Sequence, residues 1–532
     1  MPGSLTSEKA TPSKTAIPDS HAMAVGMEEH GARRHSTIVA EPEQLERRFN
    51  STSMLAACVS LMATWEAISS TMVTGLVSGG PVSLIYGFIL ALIGTIATAL
   101  SLSECASMYP TAGGQYHFTD KLAPPSIRRP LSWASGWVTT FGWQSFAASA
   151  PFLAATMIQG LLVLNYPDYG YERWHGTLLY WAILLFSLLV NIYLAQLLPL
   201  IEMVTLALHV CFFIILLVAV TVVAPNKNPA SFVFTEFSNE SGWSNNFVAW
   251  SVGMLSASYV LSGYDAATHL SEEMDDPSTG VPLAMIGSIL INGVLGFAFI
   301  IALLFCIQDL SAALTTTTGF PIIEIFYQAT RGNSHAASAM TCALIVMACL
   351  ATVPCVASAT RVLWALARDS GVPFSETLSR VDEKRGVPTM SVIVTTILLG
   401  LLGLLNIASS TAFNAILSLG VIGLYVSYLL PVILIFYQRL TNPQSLTYGP
   451  FRLGKWGLTA NAVSIVYTIY TSIFLLFPPY QPVTAVNMNY ASAVLGGVLI
   501  LSITYWFWHG RKNYNGPIIE IIARTESRAS KA

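Results

Sequence analysis

Twelve stretches of apolar residues recur along this chain, each close to the roughly 20 residues that a helix needs to cross a hydrocarbon core about 30 Å thick. They fall at 55–76, 82–102, 133–164, 177–197, 200–224, 248–270, 283–307, 336–367, 391–407, 413–436, 458–477 and 491–508. Only 10% of the residues are charged and 54% are hydrophobic, with a mean hydropathy of +0.60, whereas a soluble domain carries about 25% charged residues. The solvent for such a chain is a bilayer, and a bilayer leaves the backbone no partners but its own, so the fold class expected is an all-α polytopic membrane protein. At about 1.5 Å per residue the third and eighth stretches exceed the bilayer and must tilt or project.

Twelve crossings put both termini on one side. Of the 25 Lys and Arg residues, 22 fall on that side and only Arg173, Lys227 and Arg331 fall opposite. Basic residues stay cytoplasmic in short loops, so both termini are expected inside. Residues 1–50 lack apolar periodicity until Leu45 and Phe49 and read as a disordered cytoplasmic tail, followed by a transporter domain over 51–508 and a cytoplasmic tail over 509–532. The plasma membrane is the expected location, a vacuolar or other organelle membrane the alternative. The seven cysteines have no CxxC spacing, so neither a disulfide framework nor a metal site is expected. There is no phosphate-binding loop and no nucleophile elbow, which argues against ATP-driven transport and against an enzyme, and no cofactor or nucleic-acid partner is expected.

Two of the stretches are poor lipid-facing helices. The sixth carries Ser258-Tyr259-Val260-Leu261-Ser262-Gly263-Tyr264-Asp265, and the first carries Ala63-Thr64-Trp65-Glu66-Ala67-Ile68-Ser69-Ser70-Thr71. Glycine frees backbone groups and a carboxyl group at bilayer depth is expensive, so both segments point to a polar cavity where helices break. Their separation by five spans is the arrangement of an inverted repeat, in which spans one to five and six to ten form related halves. Half-helix ends offer N–H groups to an anion and carbonyls to a cation. A zwitterion fits such a site.

Ser78-Gly79-Gly80-Pro81, Tyr109-Pro110-Thr111-Ala112-Gly113-Gly114-Gln115-Tyr116, Ser271-Glu272-Glu273, and Ala357-Ser358-Ala359-Thr360-Arg361 leading to Ala367-Arg368-Asp369 resemble the amino acid–polyamine–organocation superfamily, with fungal amino acid, choline and GABA permeases as the nearest branch. The resemblance runs from Leu55 to Trp508. It implies a leucine-transporter-type 5+5 inverted repeat plus two extra helices, and uptake coupled to protons. Carried over by position, Thr64, Trp65, Glu66, Ala67 and Ile68 line the unwound first helix, Tyr259 stands at the aromatic gate, Ser262 and Gly263 form the unwound turn, and Asp265 occupies an acidic position linked to protons. Trp65-Glu66-Ala67 departs from the Gly-x-Gly pattern of relatives. His209 in span five matches a place where proton-coupled relatives set a basic residue instead of sodium, and its imidazole titrates in the useful range.

Each residue has a plainer reading. Glu66 and Asp265 can serve as structural acids that bond freed backbone or a neighbouring hydroxyl, and Trp65 and Tyr259 as core aromatics. Glu202 and Asn292 read as structural, His269 as a cap on span six, and Gln144 as a weaker cavity candidate. Glu272 and Glu273 are either a solvated loop or a cytoplasmic gate that pairs with Arg361 and Arg368, which lie seven apart on one helical face. Asn239 heads a glycosylation motif in the loop expected outside. The function expected is secondary active import of an amino acid or related amine by alternating access, with protons. A choline or polyamine carrier and a non-transporting nutrient sensor are the alternatives.

Overall fold

The computed structural model describes residues 45–408, 410–485 and 487–518, with backbone alone at 408 and over 410–417. Among them no strand forms, and β-pairing is confined to isolated bridges such as Phe49 with Met274 and Ser78 with Asn239. Eleven helices are long and apolar enough to cross a membrane: Ser51–Val77, Gly80–Met108, Arg128–Asn165, Arg173–Tyr193, Ala195–Val223, Pro277–Cys306, Ser334–Arg368, Thr389–Ile407, Ser418–Thr441, Gly454–Phe474 and Ala491–Asn513. The sixth apolar stretch is missing from that series because it is split into Asn246–Gly253, Leu255–Val260 and Ala266–His269. Counted with it there are twelve spans, as the sequence indicates.

The span of 35 residues from Ser334 to Arg368 is, at about 1.5 Å per residue, on the order of 50 Å long, and its Arg368 end reaches the face where the described chain begins and ends. The third span is interrupted at Ala148 between helices Arg128–Ala147 and Ser149–Asn165. The fifth and twelfth spans bury least of their surface, 22% and 17% of their apolar windows. Their outer faces, with Ile214, Val222, Ile500 and Phe507 exposed, suit contact with lipid.

The first span breaks at Ala63, whose φ of 41° and ψ of 48° place a non-glycine residue in the left-handed region, a conformation that costs energy unless its surroundings hold it. Asn292 in span seven supplies that hold. Its Oδ1 accepts from Thr64 N at 3.1 Å while its Nδ2 donates to Val59 O at 3.3 Å, so one amide serves both sides of the break. The sixth span opens between Val260 and Ala266, where Gly263 has φ +95°. Thr64 Oγ1 donates to Val260 O at 2.7 Å and ties one break to the other.

The ends of the described chain are packed. Arg48 N and Phe49 N donate to Glu273 O at 2.8 and 2.9 Å. Tyr514 is fully buried with its hydroxyl 2.8 Å from Ser132 Oγ, and Ile518 N donates to Asp369 Oδ1 at 2.8 Å. Residues 45–50 and 509–518, which the sequence reading assigns to tails, are therefore folded against the membrane domain. Residues 1–44 and 519–532 lie outside the described residues.

Candidate functional site

The two breaks enclose a cavity of about 30 Å³, with Glu66, Ala67, Phe146, Ser149, Tyr259 and Cys355 in its wall. That space holds about two waters and no amino acid, so the conformation is closed around the site. Of the residues expected to meet substrate, Glu66, Ala67 and Tyr259 line it. Thr64, Trp65, Ile68, Ser262 and Gly263 do not.

Glu66 is 3% exposed. Its Oε1 lies 2.8 Å from His209 Nδ1, while Oε2 and His209 Nε2 have no partner. His209 therefore faces the second half of span one, with the Trp65 ring 5.8 Å away. Trp65 itself packs edge-on against Phe299 at 5.1 Å and near Phe213 at 6.0 Å, which makes it a core aromatic here. Glu202, a carboxyl on span five with His209, is buried and also leaves Oε2 unpartnered.

Tyr259 reaches the cavity with its ring 5.8 Å from that of Phe146. Ser262 Oγ turns back to Ser258 O at 2.8 Å. Gly263 is pressed so closely that a Cβ would stand 2.7 Å from Leu61 Cδ2 and 3.1 Å from Phe146 Cε1.

Asp265 lies away from the cavity at the start of Ala266–His269 and is completely buried. Four side chains converge on it: Gln115 Nε2 donates at 2.6 Å, Trp143 Nε1 at 3.1 Å and Tyr428 OH at 2.5 Å, and His269 Nε2 sits at 3.2 Å. His269 does not cap its helix. It bridges Asp265 to Ala112 O, 2.9 Å from its Nδ1, and so joins the sixth span to the loop after span two. Gln144 also falls outside the cavity wall, bonding Ala359 O and Thr395 Oγ1 at 3.3 Å each.

Below Asp265, on the terminus-bearing face, the paired acids meet the paired arginines. Arg368 grips Glu272 with two nitrogens, Nη1 to Oε2 at 2.8 Å and Nη2 to Oε1 at 3.0 Å, and Ala112 N donates to the same carboxylate at 3.0 Å. Burial pushes the Glu272 carboxyl up, but the Arg368 charge, its hydrogen bonds and the Ala112 N–H outweigh burial and hold it below the usual range. Arg361 Nε donates to Glu273 Oε1 at 2.6 Å, both side chains being 0% exposed, and Arg48 Nη1 stands 3.8 Å from Glu273 Oε2. A buried pair differs from the exposed one that the sequence suggests, because losing one member strands the other's charge. Asp369 extends the closure by accepting from Tyr116 OH at 2.7 Å and lying 3.1 Å from His117 Nε2.

On the opposite face Asn239 Nδ2 donates to Trp243 O at 2.8 Å and Ser241 Oγ donates to Asn239 Oδ1 at 2.7 Å. The glycosylation motif is thus folded back on itself.

Twelve spans, two of them broken beside a small buried cavity, with ion pairs joining the sixth and eighth spans at one end, are the architecture of a multi-pass membrane transporter. The chain belongs to the amino acid permease family, whose profile matches residues 49–500, within the superfamily that the sequence motifs resemble. It is 35% identical over 480 residues to the choline transporter of Saccharomyces cerevisiae, covering 90% of this chain and 84% of that one. It is 34% identical over 441 residues to a putative amino acid/polyamine transporter of Macrophomina phaseolina, covering 83% and 97%. The GABA-specific permease of Saccharomyces cerevisiae is 28% identical over 491 residues, covering 89% and 84%.

Proposed function

We propose that this transporter imports an amino acid or a related small amine such as GABA by alternating access and together with protons. One observation carries the reading: Glu66 is the one charged side chain in the cavity wall, and its Oε2 has no protein partner. A buried carboxylate in that position calls for a cation. The rings of Tyr259 and Phe146 beside it suit the methylated or bare ammonium head through cation–π attraction. Ala63 gives the half-helix that starts at Thr64 no side-chain cap and Asn292 takes only Thr64 N, so the dipole and the remaining N–H groups of the first turn suit the carboxylate of a zwitterion.

Choline is a second reading with support of its own. No Lys or Arg lines the cavity to neutralise a carboxylate, and the 35% identical relative is named a choline transporter. Uptake into proteoliposomes separates the two: choline accumulates and amino acids fail to compete, or the reverse. Failure to accumulate any amine while still binding one would sink the import reading and favour a sensor.

Proton coupling is assigned to Asp265, Glu66 and His209, the buried titratable groups at or between the breaks, and closure of the inner gate to Glu272 with Arg368 and Glu273 with Arg361. Both termini are placed in the cytoplasm, supported by the 22 of 25 basic residues on that side. In that orientation Asn239 faces outside and is available for glycosylation before its loop folds. The plasma membrane is the location that fits nutrient import.

A further inference from the structure

Span eleven, none of whose residues line the cavity, carries a line of buried polar side chains that nothing above uses. Asn461, Ser464, Thr468 and Thr471 recur at helical spacing on one face of Gly457–Phe474, all at most 1% exposed. That face packs against spans two and ten. Ser464 Oγ bonds Thr98 Oγ1 at 2.9 Å. The others are unsatisfied: both amide atoms of Asn461, the hydroxyls of Thr468, Thr471 and Ser472, and across from them the hydroxyl of Thr95 on span two.

Threonine in a membrane helix ordinarily satisfies itself on the carbonyl one turn back, as Thr98 does on Gly94 O at 2.9 Å. Here that does not happen at Thr95, Thr468 or Thr471. Unpaired polar atoms are costly at bilayer depth, and several of them along one seam are the setting in which buried waters are retained.

The seam has a junction. Tyr467 lies over Gly94 so closely that a Cβ there would meet its ring at 2.1 Å. Its hydroxyl is 2.9 Å from Tyr425 OH and donates to Ser258 Oγ at 3.3 Å, and Tyr425 OH donates to Ser258 O at 3.2 Å. Ser258 belongs to the helix that precedes the opening of span six. Tyr425 in turn packs 6.1 Å from Tyr428, whose hydroxyl donates to Asp265.

We propose that the seam between spans two, ten and eleven holds a file of waters that carries protons to the broken sixth span without passing through the cavity at Glu66. Each hop moves one proton from a water to the next oxygen while that oxygen passes its own proton on, so no group changes its net protonation. The proton half rests on the proton-coupled reading above, whereas the waters do not depend on it.

Radiolytic hydroxyl-radical footprinting of the full chain in lipid nanodiscs tests the waters, because radicals born from bound water mark the side chains they touch. Tyr467 and Tyr425 are expected to be marked despite their burial, and Phe299, equally buried in an apolar setting, to stay clean. An unmarked Tyr467 overturns the water file. The route is tested in proteoliposomes with Asn461→Leu combined with Thr468→Val, or Thr468→Val alone where the double variant does not insert. Accumulation driven by an imposed pH gradient should fall several-fold while substrate exchange at equal pH stays at the wild-type rate. Unchanged accumulation, or equal loss of both activities, overturns the route. If the wild-type protein itself ignores the pH gradient, the coupling reading and the route both fall, and footprinting still decides the waters.

Discussion

His209 Nδ1 and Glu66 Oε1 stand 2.8 Å apart inside the membrane domain, which leaves Glu66 Oε2 as the free oxygen of the pair. A substrate ammonium at Oε2 and a proton on His209 would draw on the same carboxylate, so each weakens the other's hold. His209 thereby gains a positioning role, fixing which oxygen Glu66 turns to the cavity.

Replacing Glu66 with Gln removes a charge-assisted hydrogen bond worth about 1.5–3 kcal/mol, equivalent to a roughly 10- to 100-fold loss of affinity. Equilibrium binding of radiolabelled substrate to purified protein measures it. His209→Gln should lower that affinity too, because the imidazole that holds Glu66 Oε1 at 2.8 Å and leaves Oε2 free is lost. Wild-type affinity in Glu66→Gln would show that the ammonium binds elsewhere.

Asp265 lies outside the cavity wall among four side-chain partners, a setting that fits the proposed coupling role and not a substrate contact. Asp265→Asn is expected to abolish accumulation under a pH gradient and to preserve counterflow exchange. Full accumulation by the variant counts against a proton at this carboxyl.

At the inner closure, Glu273→Gln strands the buried Arg361 charge, a loss of about 3–5 kcal/mol for a buried pair broken on one side. The closed state should lose that stabilisation. Cysteine-accessibility labelling from the terminus-bearing side should rise and the melting temperature fall; unchanged labelling would show that the pair does not hold the closure.

Glu272 gives a signed pH dependence. Its carboxyl is held below the ordinary value of about 4.3–4.5, so the stability it contributes is fully present above that value and is lost as pH falls through the lower, folded one. Between pH 7 and 5 the Glu272–Arg368 contribution should stay constant. A melting curve whose wild-type minus Glu272→Gln difference shrinks already between pH 7 and 5 would contradict this assignment.

Gly263→Leu should stop transport while leaving insertion intact. At φ +95° a side chain is strained, and its Cβ alone would crowd Leu61 and Phe146. Near wild-type uptake by variant protein shown to reach the membrane would mean that the opening of span six tolerates a side chain.

The twelve spans and the two broken ones were legible because hydrophobic length and misplaced polar residues are local properties. Ser262-Gly263 and the run beginning at Ala63 mark their own breaks. The partners were not legible. His209 is 143 residues from Glu66 and Gln115 is 150 from Asp265, and periodicity assigns a residue to a face without saying which helix covers it. The same limit hid Asn292 as the residue that spans the first break, and it disguised Glu273 with Arg361 as a surface pair. The polar stripe on span eleven was visible as letters, but only packing against Thr95 and Tyr467's neighbours distinguishes it from an ordinary helix face.

Asn292 has a kinetic consequence. By splinting Val59 to Thr64 it holds the first break open from within the protein, so under the proposed reading the socket for the ammonium is preorganised and no helix has to melt when the solute arrives. A solute that reaches the cavity of about 30 Å³ then meets a break already formed. An Asn292→Ala protein, free to rewind its first helix, would turn that encounter from a knock on a door into the building of one.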